Sequence, residues 1–283
     1  MARELDRITS IERSIIKSFR GKLWAPFIKA IKEYELIKEG NNICVCISGG
    51  KDSMLLSKLF QELKRHSDFE FGLQFLVMNP GYNEANINLI KSNLETLNIP
   101  AKIVSTDIFD IANSTPKNPC YLCARMRRGA LYRIAKDMGC NKIALGHHFD
   151  DVIETTLMGM LNNGEFQTML PKLHSDNYSG MELIRPMYLI REKDIIAWSL
   201  KNELKFLNCA CKFTEANKDH SNISSKRLET KLLIKELESK NDVVAKNIFN
   251  AAYNVNVDKL LGYKKNKEFH SFLDNYDDLV DEE

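Results

Sequence analysis

The chain has 283 residues, 44% hydrophobic and 28% charged, with a formal net charge of +2. This composition excludes a disordered, collagen-like or low-complexity chain and allows a core of ordinary size. No apolar run approaches the ~18 residues that span a bilayer, and residues 1–10 carry Arg3, Glu4, Asp6 and Arg7 without an apolar stretch, so a cytoplasmic protein with no secretory signal and no membrane partner is expected.

Residues 11–40 read as helical, with Ile15, Ile16, Phe19, Leu23, Phe27, Ile28 and Ile31 near helical spacing and Pro26 expected to split the stretch. From Ile43 to Ile47 a short, wholly apolar run reads as a strand buried on both faces. Ser48-Gly-Gly follows, then a helix over 52–63, a strand over 71–78, a helix over 84–97 and a strand over 101–105. The stretch 107–119 reads as irregular. A helix over 120–138 with a basic start, a strand over 142–145 and a helix over 150–161 come next. Residues 163–180 read as loop, 183–184 as a short strand, 191–204 as a helix, and 224–261 as largely helical. Alternating strands and helices predict an α/β fold, a doubly wound parallel sheet with helical N- and C-terminal additions. The expected divisions are a helical segment over 1–40, the α/β domain over 41–212, and a helical segment with an acidic tail over 213–283. Residues 274–283 hold six acids and no base, which leaves a mildly basic body at about +8; that body is either a solvated surface or a polyanion-binding one.

The loop Ser48-Gly49-Gly50-Lys51-Asp52-Ser53 lies between a buried strand and a helix. Its glycines let the backbone approach an anion, and the helix N-terminus supplies N–H donors. Ser48 and Ser53 add hydroxyls, Lys51 adds a point charge for phosphate, and Asp52 can hold Mg²⁺. The spacing is not that of a Walker A loop. Gly146-His147-His148-Phe149-Asp150-Asp151 closes the fourth expected strand, at the end of the sheet where ligands bind; His147 and Asp151 therefore belong near the same ligand.

There are seven cysteines, an odd number that argues against a disulfide framework. Cys120-x-x-Cys123 opens an expected helix, where the helix terminus and Arg125, Arg127 and Arg128 favour thiolates. That pair alone is compatible with zinc, an iron–sulfur cluster or a redox pair. Cys209 and Cys211 lie far downstream. Cys44, Cys46 and Cys140 are expected to pack, the first two on one strand face. The basic helix residues Arg125, Arg127 and Arg128 are also candidates for RNA phosphate contact.

The Ser48–Ser53 loop resembles the signature of the PP-loop ATP pyrophosphatases, the adenine nucleotide α-hydrolase-like superfamily. Cys-x-x-Cys-x-Arg-x-Arg-Arg-Gly (120–129), Leu131-Tyr132-Arg133, the 143–151 stretch, Pro171-Lys172-Leu173, Ile184-Arg185-Pro186 and Arg191-Glu192-Lys193-Asp194 are similar to the tRNA 2-thiocytidine synthetase family, TtcA, over about residues 22–212. The pattern departs from that family at Met78-Asn-Pro-Gly-Tyr82 and at Asn208-Cys-Ala-Cys-Lys212. The resemblance implies an ATP-dependent tRNA sulfurtransferase that adenylates the C2 oxygen of a tRNA pyrimidine, with cytidine favoured, and replaces it with sulfur. It implies ATP and Mg²⁺ at Ser48, Gly49, Gly50, Lys51, Asp52, Ser53, Gly146, His147 and Asp151. It further implies a 4Fe-4S cluster on Cys120, Cys123 and Cys209, with Cys211 as the alternative third ligand. Expected partners are tRNA and a sulfur donor, either a cysteine desulfurase or free sulfide; the oligomeric state is left open, a homodimer included. The competing readings are a PP-loop enzyme acting on another tRNA base or a small molecule, and a non-catalytic iron–sulfur or zinc protein that binds RNA.

Overall fold

The computed structural model describes residues 6–114, 119–207 and 222–276. Helices α1 (Arg7–Ile16) and α2 (Ala25–Glu33) open the chain. A wide π-helical turn at Arg20–Trp24 separates them, and Pro26 lies in the first turn of α2, where its missing N–H breaks no helical bond. The break therefore precedes the proline rather than following from it. Lys58, fully buried, fastens this preface: its Nζ donates to Glu12 (2.6 Å), Gln61 (2.6 Å) and the Leu97 carbonyl (2.9 Å).

The α/β unit then runs β1 (Asn42–Ile47), α3 (Lys51–His66), β2 (Gly72–Asn79), α4 (Glu84–Thr96), β3 (Ala101–Ser105), α5 (Ile108–Asn113), α6 (Pro119–Asp137), β4 (Lys142–Ala144), α7 (Phe149–Met158), β5 (Lys172–His174), β6 (Glu182–Ile184) and α8 (Glu192–Lys201). The sheet order is β3-β2-β1-β4-β6-β5. Pairs β3/β2, β2/β1, β1/β4 and β4/β6 are parallel, and β5 joins the edge antiparallel to β6. The doubly wound parallel sheet follows the expected alternation. The short helix α5 and the edge strand β5 lie in stretches that read as irregular and loop-like.

β1 shows why the sheet carries a core on each face. Ile43, Val45 and Ile47 pack with α1, α2, α3 and α8, including the fully buried Phe27, Phe60 and Trp198. Cys44 and Cys46 point the other way, with Cys140, Ile143 and the inner side of α6. These three cysteines fill space in the second core, as alternation anticipates. Apolar burial on both faces fixes the register of β1, because a one-residue slip would exchange the two faces.

Beyond residue 222 come α9 (Asn222–Lys240) and α10 (Val244–Ala251). A β-hairpin, β7 (Gly262–Lys265) and β8 (Glu268–Ser271), follows; the sequence reading did not anticipate it. Its turn residues Asn266 and Lys267 have φ of 52° and 71°. α9 and α10 pack Ile234, Ala245 and Phe249 against Val152, Ile153 and Tyr188. Among the described residues, no helix is long and apolar enough to cross a membrane.

Candidate active site

The parallel strands β1 and β4 end side by side, and the loops that leave them build the site. At the end of β1, Gly49 takes φ +89°, a conformation glycine adopts without strain. A Cβ on Gly49 would stand 2.7 Å from Ile90 Cγ1 and 3.2 Å from Leu207 Cδ1. Ser53 Oγ donates to the Gly50 carbonyl (3.0 Å) and accepts from the Ser48 N–H (3.2 Å), folding the loop back over the start of α3. Gly50 caps α3 and no side chain caps its N–H groups. Such a terminus attracts an anion. Gly146, at the end of β4, lies against this loop. A Cβ there would stand 3.1 Å from the Asp52 carbonyl carbon and from the Ser53 nitrogen.

Lys51 Nζ donates to Asp52 Oδ2 (3.2 Å) and to Glu192 Oε1 (3.1 Å), the latter at the start of α8. Burial works against the charge on Lys51, but the two carboxylates outweigh it and raise its pKa. Burial likewise works against the charge on Glu192, yet Lys231 and Lys51 hold its pKa down at about 2. Asp52 differs: burial raises its pKa despite His148 and Lys51. Its Oδ1 is buried and accepts no hydrogen bond.

His148 and Asp151 form a reciprocal cap at the start of α7: the His148 N–H donates to Asp151 Oδ2 (2.9 Å) and the Asp151 N–H to His148 Nδ1 (3.4 Å). Asp151 Oδ1 accepts from Arg227 Nη2 of α9 (2.5 Å), and Arg227 Nε also donates to Glu154 (2.9 Å). Both Asp151 oxygens are thus engaged by protein groups. Arg185 Nε donates to His147 Nδ1 (3.4 Å), and Arg185 also donates to the Leu170 carbonyl. Burial lowers the His147 pKa to about 4, so its ring is neutral near pH 7. Nδ1 is the acceptor in that bond, which puts the ring proton on Nε2.

Two cavities meet at the loop. One, about 530 Å³, runs under the strand ends between Cys46, Met78, Leu145 and Leu183 and reaches Gly146, His147 and Asp151. The other, about 940 Å³, opens toward α8 and the turn that ends at Leu207, and holds Gly50, Lys51 and Glu192 in its wall. Ser48, Asp52, Tyr82 and Arg127 line both.

The structure therefore brings together Ser48, Gly49, Gly50, Lys51, Asp52, Ser53, Gly146, His147 and Asp151. Cys123 is buried near the start of α6, and Arg127 Nε donates to its Sγ at 3.2 Å. Arg127 is half-buried, its guanidinium 5.4 Å from the Phe109 ring centroid, whereas Arg125 and Arg128 are exposed. Arg127 thus faces the thiol, as the sequence reading expected of the arginines beside the cysteines, and it also lines the cavities. The side chain of Cys120, and Cys209 and Cys211 entirely, lie outside the described residues. Among the described residues, no group of three or more His, Cys, Asp or Glu side chains forms a metal cage. Leu207, two positions before Cys209, donates its N–H to the Gly49 carbonyl (3.2 Å).

The sequence reading expected a helix at α9 but missed its part in the site. Arg227, Lys231 and Glu238 share one of its faces with the buried Ile234, and pair with Asp151 and Glu154, with Glu192, and with Arg191 respectively. Arg191 also holds Asp150 (2.9 Å). The i, i+4, i+7, i+11 spacing of these residues was the available signal.

Residues 23–222 match the family model described as a PP-loop domain. The tRNA-cytidine(32) 2-sulfurtransferase of Coxiella burnetii is 34% identical over 242 residues, 83% of this chain and 90% of that protein. The protein of the same name from Citrifermentans bemidjiense is 34% identical over 237 residues, 82% of this chain and 90% of its own length. Among solved structures, the U34-tRNA thiolase NcsA of Methanococcus maripaludis, determined with its 4Fe-4S cluster, has a similar fold, with a TM-score of 0.62 and 21% identity, covering 82% of this chain and 79% of that one.

Proposed function

The chain belongs to the tRNA-cytidine 2-sulfurtransferases of the PP-loop family, ATP-dependent tRNA thiolation enzymes, and on that premise we propose how its residues carry out the reaction. ATP lies with its base and ribose in the smaller cavity and its phosphates over the Ser48–Ser53 loop. The C2 oxygen of a tRNA cytidine attacks the α-phosphorus, the bond to the bridging oxygen breaks, and pyrophosphate leaves. A sulfur nucleophile at the oxidation level of sulfide then adds to C2, and AMP leaves with the original oxygen. Oxygen is exchanged for sulfur with no net electron transfer.

The N–H groups at the start of α3 and the Lys51 ammonium stabilise the charge that develops on the phosphates. Glu192 holds Lys51 at the mouth of the larger cavity. The neutral His147 ring donates from Nε2 toward the smaller cavity. Asp52 fits Mg²⁺, because it lines both cavities beside the loop and its buried Oδ1 lacks a hydrogen bond. Mg²⁺, when bound, neutralises phosphate charge. Cys120 and Cys123 fit a thiolate-held cluster at a helix start, with Cys209, two positions after Leu207 in sequence, as the third ligand and Cys211 as the alternative. The cluster, when bound, supplies an iron site that can hold sulfur. Free sulfide supplies that sulfur directly, or a cysteine desulfurase supplies it as a persulfide that a two-electron thiol reductant brings to the sulfide level, in the cytoplasm. Arg125 and Arg128, exposed on α6, are suited to tRNA phosphates.

The observation that supports this reading is the Leu207–Gly49 hydrogen bond, which ties Leu207, two positions before Cys209 in sequence, to the Ser48–Ser53 loop. Iron and acid-labile sulfide assays on protein purified without oxygen test it. About four of each per chain are expected, with loss of iron in Cys123→Ser; stoichiometric zinc with no iron would contradict it.

A further inference from the structure

Tyr82 occupies a distinctive position in the molecule. It lines both cavities, together with Ser48, Asp52 and Arg127. Its stretch, Met78–Tyr82, is also one of the two places where the chain departs from the pattern of the family it resembles. The turn that carries it is rigidly built. Asn79 Oδ1 accepts from the Gly81 N–H (3.0 Å) and the Tyr82 N–H (2.7 Å). The Asn79 carbonyl accepts from Thr106 N (2.8 Å), and the Pro80 carbonyl from Phe109 N (2.8 Å). Gly81 sits at φ +113°, and a Cβ there would stand 3.3 Å from Phe109 Cβ.

The ring is fixed as well. Phe109 meets it in a T-shaped contact at 5.8 Å, and the Tyr82 hydroxyl reaches the Ser48 carbonyl at 3.5 Å. Arg127 covers Phe109 and donates to Cys123. A continuous row, Cys123–Arg127–Phe109–Tyr82–Ser48, thus joins the CxxC thiol to the phosphate loop.

Resting on the reading above, we propose that the Tyr82 ring is the stacking platform for the acceptor nucleobase, which enters the larger cavity from the tRNA. Three physical requirements meet there. In-line attack brings the acceptor oxygen to the α-phosphorus from the side opposite the departing pyrophosphate, so the base must reach the α-phosphate between the adenosine and the loop, and Tyr82 lines both cavities there. A base taken out of a tRNA stack loses its neighbours, and an aromatic face replaces them. The larger cavity, about 940 Å³, has room for a base and part of its backbone. Its walls add Lys205 for phosphate and the exposed apolar Ile196 and Leu200, which tRNA would cover. The tight turn keeps the platform in place before the base arrives, so little ordering cost falls on binding.

The test uses anaerobically prepared holoenzyme and unmodified tRNA, and measures the ATP dissociation constant, the tRNA KM, and kcat for AMP release. Base–aromatic stacking of roughly 1–3 kcal/mol corresponds to a loss of roughly 5- to 150-fold. Tyr82→Leu retains an apolar contact with Phe109 but offers no flat face. It should lose kcat/KM for tRNA by that factor, with ATP affinity within about twofold of the original. Tyr82→Phe and Tyr82→Trp should restore kcat/KM. A Tyr82→Leu variant with unchanged kcat/KM for tRNA overturns the platform. Weakened ATP binding with an unaffected tRNA KM also overturns it, because the ring would then serve the adenosine. Original protein that releases no AMP with tRNA overturns the underlying reading instead, so the two failures are distinct.

Discussion

The Leu207 amide donates to the Gly49 carbonyl at 3.2 Å, across 158 positions of sequence, so the Ser48–Ser53 loop and the turn that follows α8 share one backbone hydrogen bond. Gly49 also sits beneath the Leu207 side chain. Any residue at 49 with a Cβ presses on both Ile90 and Leu207 and shifts the loop from its place between them.

Gly49→Ala should therefore lower ATP affinity by more than tenfold. The left-handed backbone costs about 1–2 kcal/mol, and the 2.7 Å approach to Ile90 adds to it, so Tm should fall by several degrees. Isothermal titration with ATP and a thermal melt check both.

Lys51→Ala should reduce tRNA-dependent AMP release by about a hundredfold or more, the usual cost of losing one preorganised charge-stabilising donor. Iron content and tRNA affinity should be unchanged, because Lys51 pairs with Asp52 and Glu192 and, among the described residues, with no cysteine and no arginine of α6. A quenched-flow AMP assay with parallel metal analysis separates these effects.

Stability should fall on the acid side in two stages. The folded pKa of His147, about 4, lies below its ordinary value of 6.5, so the unfolded chain takes up a proton first. That contribution is present above pH 6.5 and is lost as pH falls toward 4, costing about 2 kcal/mol between pH 7 and 5. Glu192 acts lower, its contribution lost from about 4.5 down to about 2. Urea unfolding of the ligand-free protein at pH 7 and 5 measures the first stage, and His147→Gln should flatten it.

Arg227→Met should cost about 1 kcal/mol at pH 7.5, a modest figure because the guanidinium side chain is 46% exposed. Glu154 is buried, and burial already raises its pKa. Without Arg227 that carboxyl would protonate more readily, so the cost should shrink at pH 5.5. Amide hydrogen exchange should show lost protection in α9.

The parallel sheet was legible because β1 to β4 hold short apolar stretches closed by polar or glycine residues, and α3, α4, α6 and α7 each carry an apolar stripe. Ser48–Ser53 and Gly146–Asp151 were legible because their chemistry is local and needs few residues. α9 was legible as a helix but not as part of the site. Its inward face carries Arg227, Lys231 and Glu238 among few apolar residues, and ion pairs to Asp151, Glu192 and Arg191 leave no local pattern. The Arg185–His147 pairing spans 38 positions and hides for the same reason. β5 is three residues long and pairs antiparallel at a sheet edge, below the length at which alternation can be read. The β7–β8 turn uses Asn266-Lys267 rather than Asn-Gly, so it lacks the strongest hairpin signal.

ATP cleavage at the Ser48–Ser53 loop should be coupled to sulfur insertion into tRNA. Counting AMP released and 2-thiocytidine formed in one anaerobic reaction of holoenzyme, ATP, sulfide and unmodified tRNA measures that coupling. One AMP per 2-thiocytidine is expected, with no thiolation when ATP is omitted. Thiolation without ATP, or AMP release that leaves every tRNA cytidine unthiolated, would contradict it.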